Sequence, residues 1–463
     1  MSALFTLKEV LEVVSGRLNV PGDENLVFSA ISTDTRQVKP GELFIPLKGE
    51  KFNGHAFIPQ ALTNPGTWAL AAENYPPVSL DDRLIWVKDP IKAYHQLAQY
   101  HRQRFKDLKV IGITGSCGKT TTKDIITGLL AIRYNLLHTP GNFNNEVGVP
   151  QTLLKLTSDH KVLVLEMGMR GLGEIHQLAQ LALPDIGVIT NIGESHLEML
   201  GSLQNIVTAK CELLDELSPA GLAVINADSI QLKDMQVHCK ERILTFGIEN
   251  SAEIRLMEAD SLNWDGWRLK IKVVNQLWEV KVPFLGEQIF YNILAAIAVA
   301  WEFGLTEEEV NQAFQALAIT PMRMEKRLTQ DGIYLINDAY NASPVSMANA
   351  LKAVKELKIS GRKFAVLGDM LELGERSHAG HWETGQLAAR SGLFALLCMG
   401  DRGMEICQAA LGEGMENCRH FPEKAQVVEF LRKNLKSGDL LLLKASRRME
   451  LESIARDLWG EAK

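Results

Sequence analysis

GITGSCGKTTTK, residues 112–123, is the stretch on which the reading turns. It sits between KVIGITG (109–115), a β-branched apolar run ending in glycine, and KTTTKDIITGLLAI, whose Ile125, Ile126, Leu129 and Leu130 have helical spacing. Strand, glycine-rich loop, helix is the context in which backbone N–H groups and a helix N-terminus receive phosphate. Lys119 can neutralise terminal phosphates and Thr120 can hold a magnesium ion. The usual spacing would put the first glycine at Ile113, whereas the glycines stand at 112 and 115. A serine-hydrolase elbow around Ser116 fails, because Thr114 occupies the position that needs glycine. The loop reads as a nucleotide site with irregular glycine spacing.

Outward from the loop, the α/β alternation continues. VLVLEMG (162–168), DIGVITNIG (185–193) and GLAVINAD (221–228) predict buried strands separated by helices. From 252 to 283 the pattern changes to AEIRLMEA, DGWRLKIKV and LWEVKVP, an expected antiparallel meander, closed by a helix over 287–303. Beyond Pro321, strands are expected at IYLIND, KFAVLGD, LFALLCMG and DLLLLKAS, with helices at 344–357, 401–411, 423–435 and 449–459. Toward the N-terminus, VKPGELFIPLKGEKFNGHAF (38–57) reads as strand, turn, strand, loop, and 91–105 as a helix. The resulting division is 1–85, 86–320 and 321–463.

A chain of 463 residues needs more than one core. Its charge of −7 argues against a nucleic-acid coat, and no apolar run reaches the ~18 residues of a membrane span. The N-terminus carries acidic residues and does not read as a signal peptide. Cysteines 117, 211, 239, 398, 407 and 418 form no CxxC pair, so reduced thiols and no zinc site are expected. His378 and His381 share a helix face, read as solvated rather than as a metal pair.

TGSCGKTTT resembles the ATP loop of the Mur ligase superfamily, which joins amino acids or peptides to carboxylates. The likeness extends through TPGNFNNEVGVPQTLL (139–154), LEMGMRGLGEI (165–175), TNIGESHLEMLGS (190–202), AKCELL (209–214), LGEQIFYNILAAIA (285–298) and PMRME (321–325). STDTRQVKPGELFIPLKGEKFNGHAFI (32–58), NDAYNASPVSMANAL (337–351) and VLGDMLELGE (366–375) are similar to the branch that adds D-alanyl-D-alanine to UDP-N-acetylmuramoyl-tripeptide. The Asp-Asn-Pro-Arg motif usual in the branch adding the third residue of that peptide is absent.

The resemblance implies an α/β fold of three domains. These are a small N-terminal domain for the UDP-substrate, a central P-loop ATPase-like domain with a mostly parallel sheet and an antiparallel meander, and a C-terminal Rossmann-like open sheet. It implies an ADP-forming, ATP-dependent ligase of peptidoglycan precursor synthesis, cytoplasmic and monomeric, with small-molecule substrates and neither nucleic acid nor membrane as partner. Gly115, Ser116, Cys117, Gly118, Lys119, Thr120 and Thr121 would hold the phosphates, and Asn292 the adenine. Arg323 and Asp338 would reach the phosphates and ribose. Thr120, Glu166, His196 and Lys210 would bind two magnesium ions, with Lys210 carrying CO₂ as a carbamate. Lys119, His196 and Lys210 form the catalytic set. For the UDP-substrate the family pattern points to Thr35, Arg36, Phe52, Gly54 and His55, with Asn142, Asn144 and Asn145 on the sugar–peptide, although clustered asparagines also mark a mere turn. Asn341 and Ser343 would meet the dipeptide, and Lys444, Ser446 and Arg447 its carboxylate or a phosphate. Gln288 stands where many relatives have histidine. Another ligase of the same superfamily, or a P-loop phosphotransferase that makes no amide, stands as the alternative reading.

Overall fold

The computed structural model describes residues 4–19, 22–49, 52–75, 83–193, 197–239, 242–317 and 320–460. Two compact units divide the chain: 1–119, 133–224 and 230–243 form one, and 120–132, 225–229 and 244–463 the other.

The first unit holds a two-stranded antiparallel pair, Phe5–Thr6 with Val27–Phe28, and strands of two larger sheets. Near the N-terminus, Ile31–Ser32, Leu43–Phe44, Trp68–Ala72 and Leu84–Val87 pair in that order, all parallel. Of the strand, turn, strand and loop expected over 38–57, the described residues form one strand, Leu43–Phe44, and an isolated bridge between Lys48 and Asn53. The short apolar run LFI is followed by Pro46, which removes a ladder donor.

The second sheet of this unit is built from the predicted apolar runs. Lys109–Thr114 is flanked in parallel by Val162–Glu166 and Ile186–Ile189, with Leu136–His138 outside Val162–Glu166. Leu222–Asn226 forms the next strand. Helix Pro90–Gln103 starts on an Asp89 cap with proline in its first turn, as helix initiation favours. Helix Leu203–Asp215, capped by Ser202, lies close against the strands. A Cβ at Gly112 would fall 2.7 Å from a Leu213 methyl. Glycine in the strand therefore lets this helix approach.

The second unit contains helix residues 120–130, the meander and the last sheet. Ile254–Ser261, Trp267–Val273 and Gln276–Val282 run antiparallel as expected, preceded by Arg242–Gly247 in parallel. The helix after the meander is Phe290–Glu302. The C-terminal sheet has the order Glu325–Leu328, Tyr334–Asn337, Leu440–Lys444, Lys363–Leu367, Ala395–Met399, Cys418–Phe421, parallel except at its first edge. Ile336, Leu367 and Leu442 pack on one face, and Leu335, Val366 and Leu441 on the other. Both faces being covered explains why these strands read as unbroken apolar runs.

Three strands or α-helices beyond Pro321 lie outside the sequence reading: the edge strands Glu325–Leu328 and Cys418–Phe421, and helix Ser377–Ala389. The helix also corrects the reading of the histidine pair. His381 is fully buried, accepting from the Met370 N–H at 2.9 Å and donating to the Ser377 carbonyl at 2.6 Å, while His378 pairs with Glu405 at the surface.

Candidate nucleotide and ligation site

The phosphate loop is held by the strand end that follows Ile186–Ile189. Asn191 accepts from the Cys117 N–H through its side chain (2.8 Å) and from the Ser116 N–H through its carbonyl (3.0 Å). The Thr190 hydroxyl donates to the Cys117 carbonyl at 2.6 Å, and Ser116 exchanges hydrogen bonds with Gly193 at 2.9 and 2.8 Å. Gly115 has φ +150°, and a Cβ there would lie 1.9 Å from the Thr190 hydroxyl. Only glycine satisfies both constraints. Lys119 turns back over the loop, its Nζ 2.8 Å from the Gly115 carbonyl. Asn191 and Thr190 escaped the sequence reading. The signal was their place in TNIGESHLE, where attention fell on the histidine.

Glu166, at the end of its strand, is buried and accepts from the Asn144 amide at 2.7 Å. Asn144 is itself tied in, its carbonyl accepting from the Gly168 N–H at 2.8 Å. The asparagine loop thus meets the candidate magnesium carboxylate. Asn145 caps the next turn through the N–H of Val147 and Gly148, and the Asn142 carbonyl receives the Asn144 N–H. A buried carboxylate at a strand end and the buried hydroxyl of Thr120 are hard oxygen donors of the kind magnesium takes. His196 lies outside the described residues.

Lys210, on helix Leu203–Asp215, is 1 % exposed. Burial first, and then the field of Lys119, pull its ammonium down to about 7. That is what carbamate formation needs. At pH 7 about half of such amines are neutral, against ~1 in 3000 for a lysine at its ordinary value.

In the second unit, Thr122 donates to the side chain of Asn292 at 3.3 Å. The Arg323 guanidinium stacks over Tyr340 at 4.1 Å, and its buried Nε has no hydrogen-bond partner. Asp338 accepts from the Met324 N–H at 3.0 Å and from Lys444 at 2.5 Å; Lys444 also donates to the Asn341 carbonyl at 3.1 Å. The structure therefore joins Asp338, Asn341 and Lys444, assigned separately above, into one cluster. Ser343 caps helix Pro344–Glu356, Ser446 accepts from the Leu371 N–H, and Arg447 pairs with Glu452.

The N-terminal candidates separate. A cavity of roughly 460 Å³ is lined by Lys48, Asn53, His55, Tyr75 and Lys88 among others, and not by Thr35 or Arg36. Arg36 is spent on Asp34 at 2.7 Å, Thr35 meets Gln60, and Phe52 is exposed. His55 is committed to the Ala72 N–H and to Asn53, and burial holds its pKa down, so it lines the cavity as a neutral ring. Gly54 lies so close to Leu47 that a Cβ would fall 2.5 Å from its carbonyl oxygen. Lys88 lies outside every motif quoted above, and Lys48, though inside the 32–58 stretch, was not singled out there.

A phosphate loop beside a buried lysine of depressed pKa, with a separate open sheet, is the pattern of an ATP-using ligase class. Residues 113–300 match the Mur ligase middle domain, 322–447 the Mur ligase glutamate ligase domain, and 27–102 the Mur ligase family catalytic domain. The chain belongs to the Mur ligase family. It is 38% identical to the UDP-N-acetylmuramoyl-tripeptide–D-alanyl-D-alanine ligase of Bacillus subtilis over 98% of both chains, and 31% identical to that of Escherichia coli over the same share. Among solved structures, it resembles MurF from Acinetobacter baumannii (TM-score 0.89, 28% identity, 98% of both chains). It also resembles MurF ligase from Thermotoga maritima in complex with ADP (TM-score 0.80, 28% identity, 93% of this chain and 96% of that one).

Proposed function

We propose that the chain is the ADP-forming ligase that adds D-alanyl-D-alanine to UDP-N-acetylmuramoyl-tripeptide in peptidoglycan precursor synthesis, acting as a cytoplasmic monomer. Near-complete coverage of relatives with that activity supports the reading, as does a fold with separate sheets in its N-terminal, central and C-terminal parts. The division into residues 1–85 for the UDP-substrate, 86–320 for ATP and 321–463 for ligation belongs to the same proposal. The observation that carries the chemistry is Lys210, buried and drawn to about 7 within the field of the phosphate-loop lysine.

The substrate carboxylate attacks the γ-phosphate of ATP, giving an acyl phosphate and ADP. The dipeptide amine then attacks the acyl carbon, and phosphate leaves from a tetrahedral intermediate. The obstacle is charge. Two like charges 4 Å apart repel by about 4 kcal/mol in a protein-like dielectric. Lys119 offsets that repulsion at the β- and γ-phosphates, and the loop fixed by Asn191 orients them. Two magnesium ions, held by Thr120, Glu166, His196 and the Lys210 carbamate, would supply further neutralisation of the polyphosphate. The Lys210 ammonium gives up one proton, and the neutral amine would then add to CO₂ and release a second, exchanging a buried cation for an anion. Asn292 would meet adenine, and Arg323 and Asp338 the phosphates and ribose. The cavity lined by Lys48 and Lys88 suits the diphosphate of the UDP-substrate better than the exposed Arg36 does.

Phosphate release from ATP, measured with each substrate omitted in turn, tests the reading. Strict dependence on the tripeptide nucleotide and on D-alanyl-D-alanine is expected, with a loss of at least ~10³-fold in Lys119→Ala. Turnover without the dipeptide would favour a phosphotransferase.

A further inference from the structure

Three of the six cysteines, 9 and 11 residues apart in sequence, meet in the C-terminal sheet. Cys398 lies on strand Ala395–Met399, Cys407 on the following helix Gly403–Gly412, and Cys418 on the adjacent edge strand Cys418–Phe421. Their sulfurs all lie within 4.8 Å of one another, with Cys407 and Cys418 at 3.0 Å. The residues are 0, 4 and 7 % exposed and belong to an apolar cluster with Leu396, Ile406 and Ala410. Among the described residues, no other group of three His, Cys, Asp or Glu has donor atoms so close.

Around one three-coordinate centre with bonds of about 2.3 Å, as in zinc thiolates, sulfurs sit roughly 3.5–4 Å apart. The sulfurs here, 3.0 Å apart at Cys407–Cys418 and all within 4.8 Å, bracket that spacing. Coordination number and charge then select the occupant. Zinc in a closed site takes four ligands. The nearest further donor on this face of the edge strand, His420, has its Nε2 held by the Gly400 carbonyl at 2.8 Å. A divalent ion with three thiolates would also leave a net negative charge in an apolar core, which is costly. A trivalent centre with three thiolates is neutral.

We propose that Cys398, Cys407 and Cys418 form a three-thiol site for trivalent arsenic or antimony, taken up as the neutral hydroxide. The step balances without an oxidant. Three As–O bonds break, three As–S bonds form, and each thiol proton leaves with a hydroxide as water. Entry needs only local opening, since Cys418 is on the edge strand of the sheet.

The test uses arsenite on the full-length reduced protein, read by native mass spectrometry. The expected result is a gain of one arsenic less three hydrogens per chain. Affinity should fall at least tenfold in Cys407→Ala and in Cys418→Ala, with their melting temperatures reported alongside, and should be unchanged in Cys117→Ala. Four outcomes would overturn the site: no gain, a gain that survives both cluster variants, stoichiometric zinc in place of arsenic, or loss of two hydrogens by direct coupling of Cys407 to Cys418.

Discussion

Among the described residues three lysines are each 1 % exposed, Lys123, Lys210 and Lys444, and the surroundings of the last two are opposites. In the second unit, Lys444 has a carboxylate at 2.5 Å and a carbonyl at 3.1 Å, so its charge is answered on the spot. In the first unit, Lys210 is shifted by burial and by another lysine, and the smaller influence of Cys117 works the other way. The first arrangement keeps a cation where a site needs one. The second makes the cation costly, and so prepares the amine to become something else. Burial alone does not define a lysine's role; the sign of its neighbours does.

The sharpest way to break this contrast is Lys210→Met. We expect phosphate release to fall ~10²–10³-fold while the protein becomes more stable in CO₂-free buffer. The sign follows from the direction of the shift. A cation whose folded pKa is depressed from 10.5 to about 7 destabilises the fold fully below pH 7, and the penalty fades as pH rises toward 10.5. The gain should therefore be a few kcal/mol at pH 6, shrinking toward pH 10, as read by chemical denaturation. No gain at pH 6 would place Lys210 in the same category as Lys444.

Lys444→Met should do the reverse. Removing the partner of a largely buried carboxylate costs about 3 kcal/mol and lowers the melting temperature, and Lys444→Met with Asp338→Leu should recover much of it. A carbon-13 carbamate signal, grown in labelled bicarbonate and absent in Lys210→Met, should fade as pH falls through about 7, because protonation removes the amine that adds to CO₂. The smallest effects belong to the N-terminal domain. Lys48→Ala should raise KM for the UDP-substrate about tenfold, the worth of one charged phosphate contact, and Arg36→Ala should raise it less.

What was legible in the sequence follows the same physics. Strand 109–114 and the four inner strands of the last sheet were readable because burial on both faces leaves continuous apolar runs. The meander was readable because one face alternates. Helix Ser377–Ala389 was not, because its buried side is made of Gly380, His381, Thr384, Gly385 and Ala388 and gives no apolar stripe. Strand Cys418–Phe421, reading CRHF, likewise gives no apolar run.

At the candidate site, Lys119 and Glu166 were singled out because loop and strand-end motifs are local, and Lys210 because of the resemblance. The resemblance asked for a depressed pKa at Lys210, and burial with the field of Lys119 shifts it in that direction. The Asp338–Lys444 pairing, the cavity beside Lys48 and the cysteine trio were hidden, because each joins residues that only tertiary structure brings together. The contribution of His196 rests on residues outside those described.

The account depends on the tripeptide carboxylate becoming phosphorylated before the amide forms. With oxygen-18 in that carboxylate, one labelled oxygen should appear in the orthophosphate released in each turnover with D-alanyl-D-alanine. Unlabelled phosphate accompanying labelled pentapeptide product would contradict it.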